Sequence, residues 1–204
     1  MQNIKNIIFD LGGVILNIDF KQTELAFAKL GVGNFNQYYT LQSVSPLFEK
    51  LELGLITPEL FYDEFKNVVK VSLTNEEICN AWNALLIDFP PERIAWLETI
   101  SKKYKTYLLS NTNKIHYDAF MKIFDEQIGK GDFNKYFIKP YYSHEINLRK
   151  PSKECFEFVL KNENLNAEET LFIDDSETNT EGAKEAGLNT IHLPTPHTIL
   201  ELNL

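Results

Sequence analysis

The stretch Asn6-Ile7-Ile8-Phe9-Asp10-Leu11-Gly12-Gly13-Val14-Ile15 decides the fold, because it leads an apolar strand directly into a carboxylate and a two-glycine turn. A strand that ends in this way presents a nucleophile or a metal ligand beside bare backbone N–H groups, an arrangement that cradles phosphate. An Asp-Gly boundary is also common for purely structural reasons. The interpretation of Asp10, Gly12 and Gly13 therefore depends on the rest of the chain.

Three further polar clusters lie at predicted strand or helix ends. Ser110-Asn111 follows the apolar run Tyr104 to Leu109, and Asp174-Asp175 follows another short apolar run. Lys150 stands directly before Pro151, which is predicted to open a helix at its first position. Open α/β sheets place ligand sites at the carboxyl ends of their strands. Each cluster also has a structural interpretation, as a helix cap, a solvated lysine or an acidic pair near a helix N-terminus.

The order of these residues carries more information than any one of them. Asp10, Ser110, Lys150 and Asp174-Asp175 match the order of the four motifs of the haloacid dehalogenase superfamily of phosphotransferases, which the sequence resembles along the whole chain. The runs Phe-Asp-Leu-Gly-Gly-Val, Leu-Ser-Asn-Thr-Asn and Arg-Lys-Pro most resemble small bacterial sugar-phosphate phosphatases of the α-D-glucose-1-phosphate type. Response-regulator receivers share this chemistry, but their acidic pair comes first and their lysine last, so the order argues against them.

The resemblance implies roles for the residues that would meet the phosphate. Asp10 would be the nucleophile, and Lys150 would lie between the phosphate and Asp10 as a point charge. Ser110 and the Asn111 amide would hold phosphate oxygens, helped by the helix that follows. The backbone of Gly12 and Gly13 would complete the substrate-binding turn.

The resemblance also implies a metal cofactor. A carboxylate that attacks phosphorus needs its own charge and that of the phosphate offset, and oxygen-rich ligation suits Mg²⁺. The implied ligands are the Asp10 carboxylate, the Gly12 carbonyl and the Asp175 carboxylate. Asp174 would be either a further ligand or a partner of one.

The distribution of apolar residues predicts an α/β fold, a three-layer Rossmann-like parallel sheet core with an inserted α-helical cap. Strand and helix patterns alternate in residues 89–204, whereas residues 17–88 carry helical patterns without a good parallel strand. Those helical patterns lie near Thr23 to Leu30, Thr57 to Val69 and Thr74 to Leu86. We therefore expect a core domain of residues 1–16 and 89–204 and a helical cap domain of residues 17–88.

Local signals set element boundaries near the later motifs. The spacing of Thr178 and Glu181 fits a capping box at the start of a helix that ends near Gly187. The segment Asp125 to Lys135 is rich in glycine and charge, and we expect it to be a surface loop.

Composition restricts the classes of function. The chain has 204 residues and a formal net charge of −9, which disfavours nucleic acid or an anionic membrane as a partner. No apolar run approaches membrane-spanning length, and no targeting segment is visible. Cys79 and Cys155 lie in helical patterns and favour buried free thiols and a reducing cytoplasm. We expect a cytoplasmic monomer or small homo-oligomer, and solvated or capping roles for the histidines, His116, His144, His192 and His197.

One departure from the superfamily pattern bears on mechanism. Most phosphatases of the superfamily carry a second Asp two residues after the nucleophile as general acid and base, and here that position is Gly12. Its absence matters less when the leaving group is acidic, which favours substrates that resemble sugar 1-phosphates. Asp19 could supply the missing acid, or it could be a hinge or capping residue.

The resemblance therefore implies a Mg²⁺-dependent phosphomonoester hydrolase that acts through an aspartyl-phosphate on a small phosphorylated metabolite, with a sugar phosphate favoured. Two alternatives remain. One is a 2-haloacid dehalogenase-type hydrolase, which the paired carboxylates of Asp174-Asp175 disfavour because they would repel a carboxylate substrate. The other is a catalytically weak phosphate-binding regulatory protein, which Gly12 keeps open. Candidate substrate contacts from the cap are Phe20, Phe48, Glu49, Tyr62 and Trp82.

Overall fold

A parallel β-sheet forms the centre of the protein. The computed structural model describes residues 3–40, 44–129 and 131–204. Within these ranges the sheet has the order β5-β4-β1-β6-β7, and every neighbouring pair is parallel. Its strands are β1 (Asn6–Phe9), β4 (Lys105–Ser110), β5 (Lys139–Tyr142), β6 (Thr170–Asp174) and β7 (Asn189–His192). The predicted α/β class is confirmed, and the carboxyl ends of β1, β4 and β6 meet at one edge.

Helices cover both faces of this sheet. Ile7 and Phe9 of β1 pack with α5 (Pro91–Ile100) and α6 (Lys114–Ile128), whereas Ile8 packs with α8 (Lys153–Asn162) and α9 (Glu177–Glu185). Successive side chains of a strand point to opposite faces, so a fully buried β1 requires a helical layer on each side. A short helix, α7 (Ser143–Ile146), follows β5.

A separate helical unit lies between β1 and α5. It contains α1 (Phe20–Lys29), α2 (Pro46–Glu52), α3 (Pro58–Val69) and α4 (Asn75–Asn83). Thr57 caps α3, and Thr74 with Glu77 forms the capping box of α4, as the sequence predicts. The unit has its own aromatic core, in which the most buried rings are Phe27, Phe35, Phe48, Phe61, Phe65 and Trp82.

The chain enters and leaves this unit through a two-stranded ribbon. Strand β2 (Asn17–Ile18) pairs antiparallel with β3 (Leu86–Asp88), and Asn17 Nδ2 donates a hydrogen bond to Asp88 Oδ1 over 2.7 Å. The helix expected to reach Leu86 ends at Asn83 because the chain turns there into β3. We propose that the ribbon marks the boundary between a core of residues 1–16 and 89–204 and a cap of residues 17–88.

Three local predictions need correction. Most of the segment expected as a loop from Asp125 to Lys135 is ordered: α6 continues to Ile128, where Gly129 ends it in the left-handed region, and Phe133 is buried in the core. Asp125 and Glu126 lie on the solvent face of α6, and Lys130 lies outside the described residues. Thr178 does not cap α9, because that helix begins two residues earlier and Ser176 accepts from Asn179 N. Pro151 precedes α8 without opening it.

The predicted thiols are confirmed as free cysteines, with Cys155 buried and Cys79 partly buried. Cys155 belongs to the hydrophobic cluster on the α8 side of the sheet, and Cys79 packs against the cluster of the cap. No helix among the described residues combines the length and the apolar character that crossing a membrane requires.

Candidate active site

Lys150 lies at the centre of the cluster that forms where β1 and β6 end. Its Nζ donates to Asp10 Oδ1 and to Asp174 Oδ2, each over 2.6 Å. Lys150 is 1% exposed and Asp174 is fully buried. Burial alone lowers the pKa of Lys150, but the two carboxylates reverse that effect and hold it above its ordinary value. The interpretations as a solvated lysine and a solvent-facing acidic pair therefore do not apply to Lys150 and Asp174.

Both oxygens of Asp174 have protein donors. Ser176 N–H donates to Oδ1 over 2.8 Å, and Asn179 Nδ2 lies 3.1 Å from each oxygen. Since Lys150 Nζ also binds Oδ2, we propose that Asp174 fixes the lysine and that Asp175 is the stronger candidate for metal ligation. The sequence analysis missed Asn179, although its position in the first turn of α9 places it beside the strand end.

The carboxylate of Asp175 occupies space that the backbone of Gly13 leaves open. Gly13 has a φ of +73°, and a β-carbon at that position would overlap Asp175 Oδ2 and Cγ. A left-handed φ is also strained for any other L-residue. Gly13 therefore permits both the turn after β1 and the approach of Asp175 to Asp10.

The residues present fit a divalent cation. Oxygen atoms of Asp10, Asp174 and Asp175 lie within 4.8 Å of one another. Burial and the neighbouring carboxylates raise the pKa values of Asp10 and Asp175, while Lys150 acts in the opposite direction. Three carboxylates around a single ammonium leave negative charge that a cation offsets, and hard oxygen donors suit Mg²⁺. Asp10, Asp175 and the Gly12 carbonyl are the groups that would hold it.

The turn that carries Gly12 is tied to the core. Gly13 N–H donates to the Leu16 carbonyl over 2.9 Å, and Arg93 of α5 donates to the Val14 carbonyl over 3.2 Å. A β-carbon on Gly12 would stand 2.9 Å from Ile18 Cδ1. The end of the Ile18 side chain thus occupies part of the place that a second Asp would need, and it would have to shift to admit one.

Asn111 clamps the backbone of Lys150. Its Oδ1 accepts from Lys150 N–H and its Nδ2 donates to the Lys150 carbonyl, both over 2.9 Å. The side-chain amide retains one N–H for a phosphate oxygen, because the other is engaged. Ser110, the last residue of β4, is buried and lines the adjoining cavity.

The amino end of α6 is closed by its own cap. Asn113 Oδ1 accepts from the N–H groups of Ile115 and His116 over 3.0 and 3.1 Å, and Thr112 N–H donates to Ser143 Oγ. These three N–H groups are therefore engaged. The expectation that the amino end of α6 helps to hold phosphate stays a prediction for its other backbone N–H groups.

A cavity of about 70 Å³ lies between the cap and this site. Its lining includes three residues of the motifs, Gly12, Ser110 and Asn111. It also includes side chains that the sequence analysis did not select. The unexpected polar ones are Tyr39, Glu52, Thr112 and His116. Of the expected cap contacts, only Phe20 lines the cavity, since Phe48, Tyr62 and Trp82 pack in the aromatic core of the cap and Glu49 faces solvent.

Glu52 belongs to a buried polar cluster at this wall. Tyr39 Oη donates to Glu52 Oε1 over 2.7 Å, and Arg149 Nη2 lies 2.9 Å from Glu52 Oε2. Burial holds the pKa of Glu52 above its ordinary value, although Arg149 and Tyr39 act in the opposite direction. The sequence holds a signal for Arg149, the ion-pair partner of Glu52, because Arg149 stands directly before Lys150.

The expectation of a solvated or capping role is wrong for His116. It is buried, its Nδ1 lies 2.7 Å from Asn83 Oδ1, and its ring packs at 4.5 Å against Trp82. Burial lowers the pKa of His116 to about 3, so the ring is neutral near physiological pH.

Asp19 is the N-cap of α1, since its two oxygens accept from Lys21 N–H and Gln22 Nε2.

Solved structures of the same fold are similar to this chain to different degrees. The wild-type structure of a HAD family enzyme from Bacteroides thetaiotaomicron, a complex with magnesium and inorganic phosphate, has a TM-score of 0.89 and 35% identity, with 98% of this chain and 100% of that chain covered. A 2-haloacid dehalogenase from Pseudomonas syringae pv. Tomato has a TM-score of 0.57 and 15% identity over 93% and 86% of the two chains. The second likeness shows the fold alone.

Sequence comparison agrees with that likeness. D-ribitol-5-phosphate phosphatase from Bacteroides thetaiotaomicron is 33% identical over 187 residues, which covers 92% of this chain and 90% of that protein. The family model described as haloacid dehalogenase-like hydrolase matches residues 4–187, a range that holds every motif residue described above. The chain therefore belongs to the haloacid dehalogenase-like hydrolase family.

Proposed function

We propose that the chain hydrolyses the phosphomonoester of a small sugar or polyol, with Asp10 as the nucleophile. The observation that carries this proposal is the pair of 2.6 Å hydrogen bonds through which Lys150 joins Asp10 to Asp174 beside the carboxylate of Asp175. A buried carboxylate that is hydrogen-bonded to a lysine and faces a candidate cation site is suited to attack on phosphorus.

The reaction has two steps on the residues of this chain. Asp10 attacks phosphorus, the bond from phosphorus to the ester oxygen breaks, and the alcohol leaves with a proton from water. Water then attacks the phosphorus of the aspartyl-phosphate, which releases inorganic phosphate and restores Asp10. Lys150 and Ser110 would bind phosphate oxygens in both steps. A bound Mg²⁺ would supply further positive charge that offsets the negative charge of those oxygens.

Similarity to D-ribitol-5-phosphate phosphatase supports a polyol or sugar as the leaving group. The ester that this name describes is a primary alkyl phosphate, so it does not by itself support the preference for anomeric phosphates derived from Gly12. That preference stays a prediction.

The buried site also bears on the two alternatives. Asp174 and Asp175 place two carboxylates next to the nucleophile, and this charge favours a cation and a phosphoester over the carboxylate substrate of a 2-haloacid dehalogenase. A weak phosphate-binding protein would not need a buried lysine hydrogen-bonded to a nucleophilic carboxylate. We further propose a cytoplasmic monomer or small homo-oligomer whose partner is the small-molecule substrate, with no nucleic acid or membrane bound.

The test is Mg²⁺-dependent release of phosphate from p-nitrophenyl phosphate and from D-ribitol-5-phosphate. Asp10→Asn should lower turnover by roughly 10³-fold or more while the melting temperature stays close to that of the wild type, because an amide keeps the volume but does not attack phosphorus. Asp63→Asn, at a side chain that is 72% exposed, is the matched control. Near-normal turnover by Asp10→Asn would contradict the assignment of the nucleophile.

A further inference from the structure

The cavity wall has an uneven distribution of charge. The residues that line it beyond the motifs include one carboxylate, Glu52, together with Tyr39, Thr112 and the neutral His116. No lysine or arginine is among the described residues that line it. A leaving group that carries a second anionic group would therefore meet no lysine or arginine on this wall, since the nearby Arg149 is already paired with Glu52, and it would face the Glu52 carboxylate.

The Glu52 carboxylate keeps capacity to accept hydrogen bonds. A carboxylate has about four lone-pair sites, and Tyr39 Oη occupies one of those on Oε1. Among the described residues, Oε2 has the Arg149 ion pair but no aligned hydrogen bond, although it is buried. Oε1 keeps a second lone-pair site, which a substrate hydroxyl group could occupy.

Glu52 is also held firmly with respect to the catalytic residues. Arg149, its ion-pair partner, precedes Lys150. At the end of α2, Asn147 Nδ2 donates to the Leu53 carbonyl over 2.6 Å, and the Cα of Gly54 packs on the His144 carbonyl with no room for a β-carbon. The cap therefore places Glu52 at a fixed position relative to the phosphate end of the cavity.

We infer that Glu52 is a specificity-determining residue that accepts hydrogen bonds from the hydroxyl groups of a neutral leaving group and excludes leaving groups with a second anion. This inference rests on the proposed function and deepens it, because it restricts the substrates to monophosphates of uncharged polyols or sugars. Phosphorylated sugar acids and bisphosphates would be rejected.

The test compares D-ribitol-5-phosphate with 5-phospho-D-ribonate, two esters of equal chain length that end in a hydroxymethyl group and in a carboxylate. The wild type should favour the ribitol ester in kcat/KM, and Glu52→Gln should lower that preference by about tenfold, since one charged hydrogen bond and one repulsion are lost. The preference is a ratio within one protein sample, so a smaller folded fraction does not change it. Glu49→Gln removes the same charge from the exposed side of α2 and should keep the wild-type ratio.

Glu52→Asp is the second variant, in case the Glu52→Gln variant does not fold. It keeps the charge but withdraws the carboxylate by one methylene, so the ribonate ester should stay rejected while KM for the ribitol ester rises. An unchanged ratio in Glu52→Gln, or acceptance of the ribonate ester by Glu52→Asp, would overturn the inference. Wild-type protein without Mg²⁺-dependent activity on p-nitrophenyl phosphate would instead overturn the proposed function.

Discussion

The Asp175 carboxylate lies where the β-carbon of Gly13 would stand if that residue had one. Gly13→Ala should therefore displace Asp175 and raise the Mg²⁺ concentration for half-maximal activity by about tenfold or more. Gly33→Ala is the control, because Gly33 has no atom within 4 Å of its would-be β-carbon. A Mg²⁺ titration of both variants checks the prediction, and overlapping curves would remove Asp175 from the metal site.

The clamp of Asn111 on Lys150 predicts a graded loss of activity. Asn111→Ala loses both hydrogen bonds to the backbone of Lys150, whereas Asn111→Asp keeps the acceptor for Lys150 N–H but sets a carboxylate oxygen against the Lys150 carbonyl and beside the phosphate. We expect kcat to fall by roughly tenfold in the first variant and 10²-fold in the second, as misplacement of a catalytic group increases. Steady-state kinetics on p-nitrophenyl phosphate measures both, and Asn166→Ala, at the cap of a surface turn, is the control. An equal effect of the two substitutions would contradict the clamp.

Gly12 predicts a ranking of substrates by leaving-group acidity. Without a second Asp, p-nitrophenyl phosphate and glucose-1-phosphate should be hydrolysed faster than primary alkyl phosphates of similar size such as glucose-6-phosphate, and the aspartyl-phosphate should break down slowly. Rapid-mix kinetics should show a burst of product. Asp19 caps α1 with both oxygens engaged, so Asp19→Asn should leave the ranking intact. A large loss on alkyl esters in that variant would show that Asp19 transfers the proton.

His116 predicts a pH dependence of stability. Its pKa is about 3 in the folded protein and near 6.5 when unfolded, so below pH 6.5 the unfolded chain binds the extra proton. Stability should therefore fall as the pH drops from 6.5 towards 3, by about 2 kcal/mol at pH 5 relative to neutral pH from this group. His116→Gln should remove that part of the slope in urea titrations at pH 5 and 7.5. His197→Gln, at an exposed side chain, is the control, and a slope that persisted in His116→Gln would contradict the prediction.

The sequence predicts the sheet and the strand-end residues well, because both depend on local patterns. The strand β1, the capping box at Thr74 and the order of Asp10, Ser110 and Lys150 are examples. Contacts between distant segments could not be predicted in this way. Helix α2 was missed although Pro46 follows Ser45, a good start signal, since seven residues show too little periodicity.

The missed site residues follow from the same cause. Glu52 approaches Arg149, and Asn83 approaches His116, only after the cap folds over the core. A single histidine or glutamate in a helical pattern carries no sign of its burial. The part of the site that binds the leaving group is therefore the part that the sequence alone described least.

The ribbon of β2 and β3 brings residues 17–18 and 86–88 side by side, so the whole helical unit is inserted at one point of the core. An insertion with adjacent ends can be exchanged or lengthened without breaking a strand of the central sheet. During evolution a different cap could thus be inserted into the same core, which would change the substrate preference while the residues of the core that carry the chemistry are preserved. Laboratory exchange of residues 17–88 between related phosphatases would follow the same route.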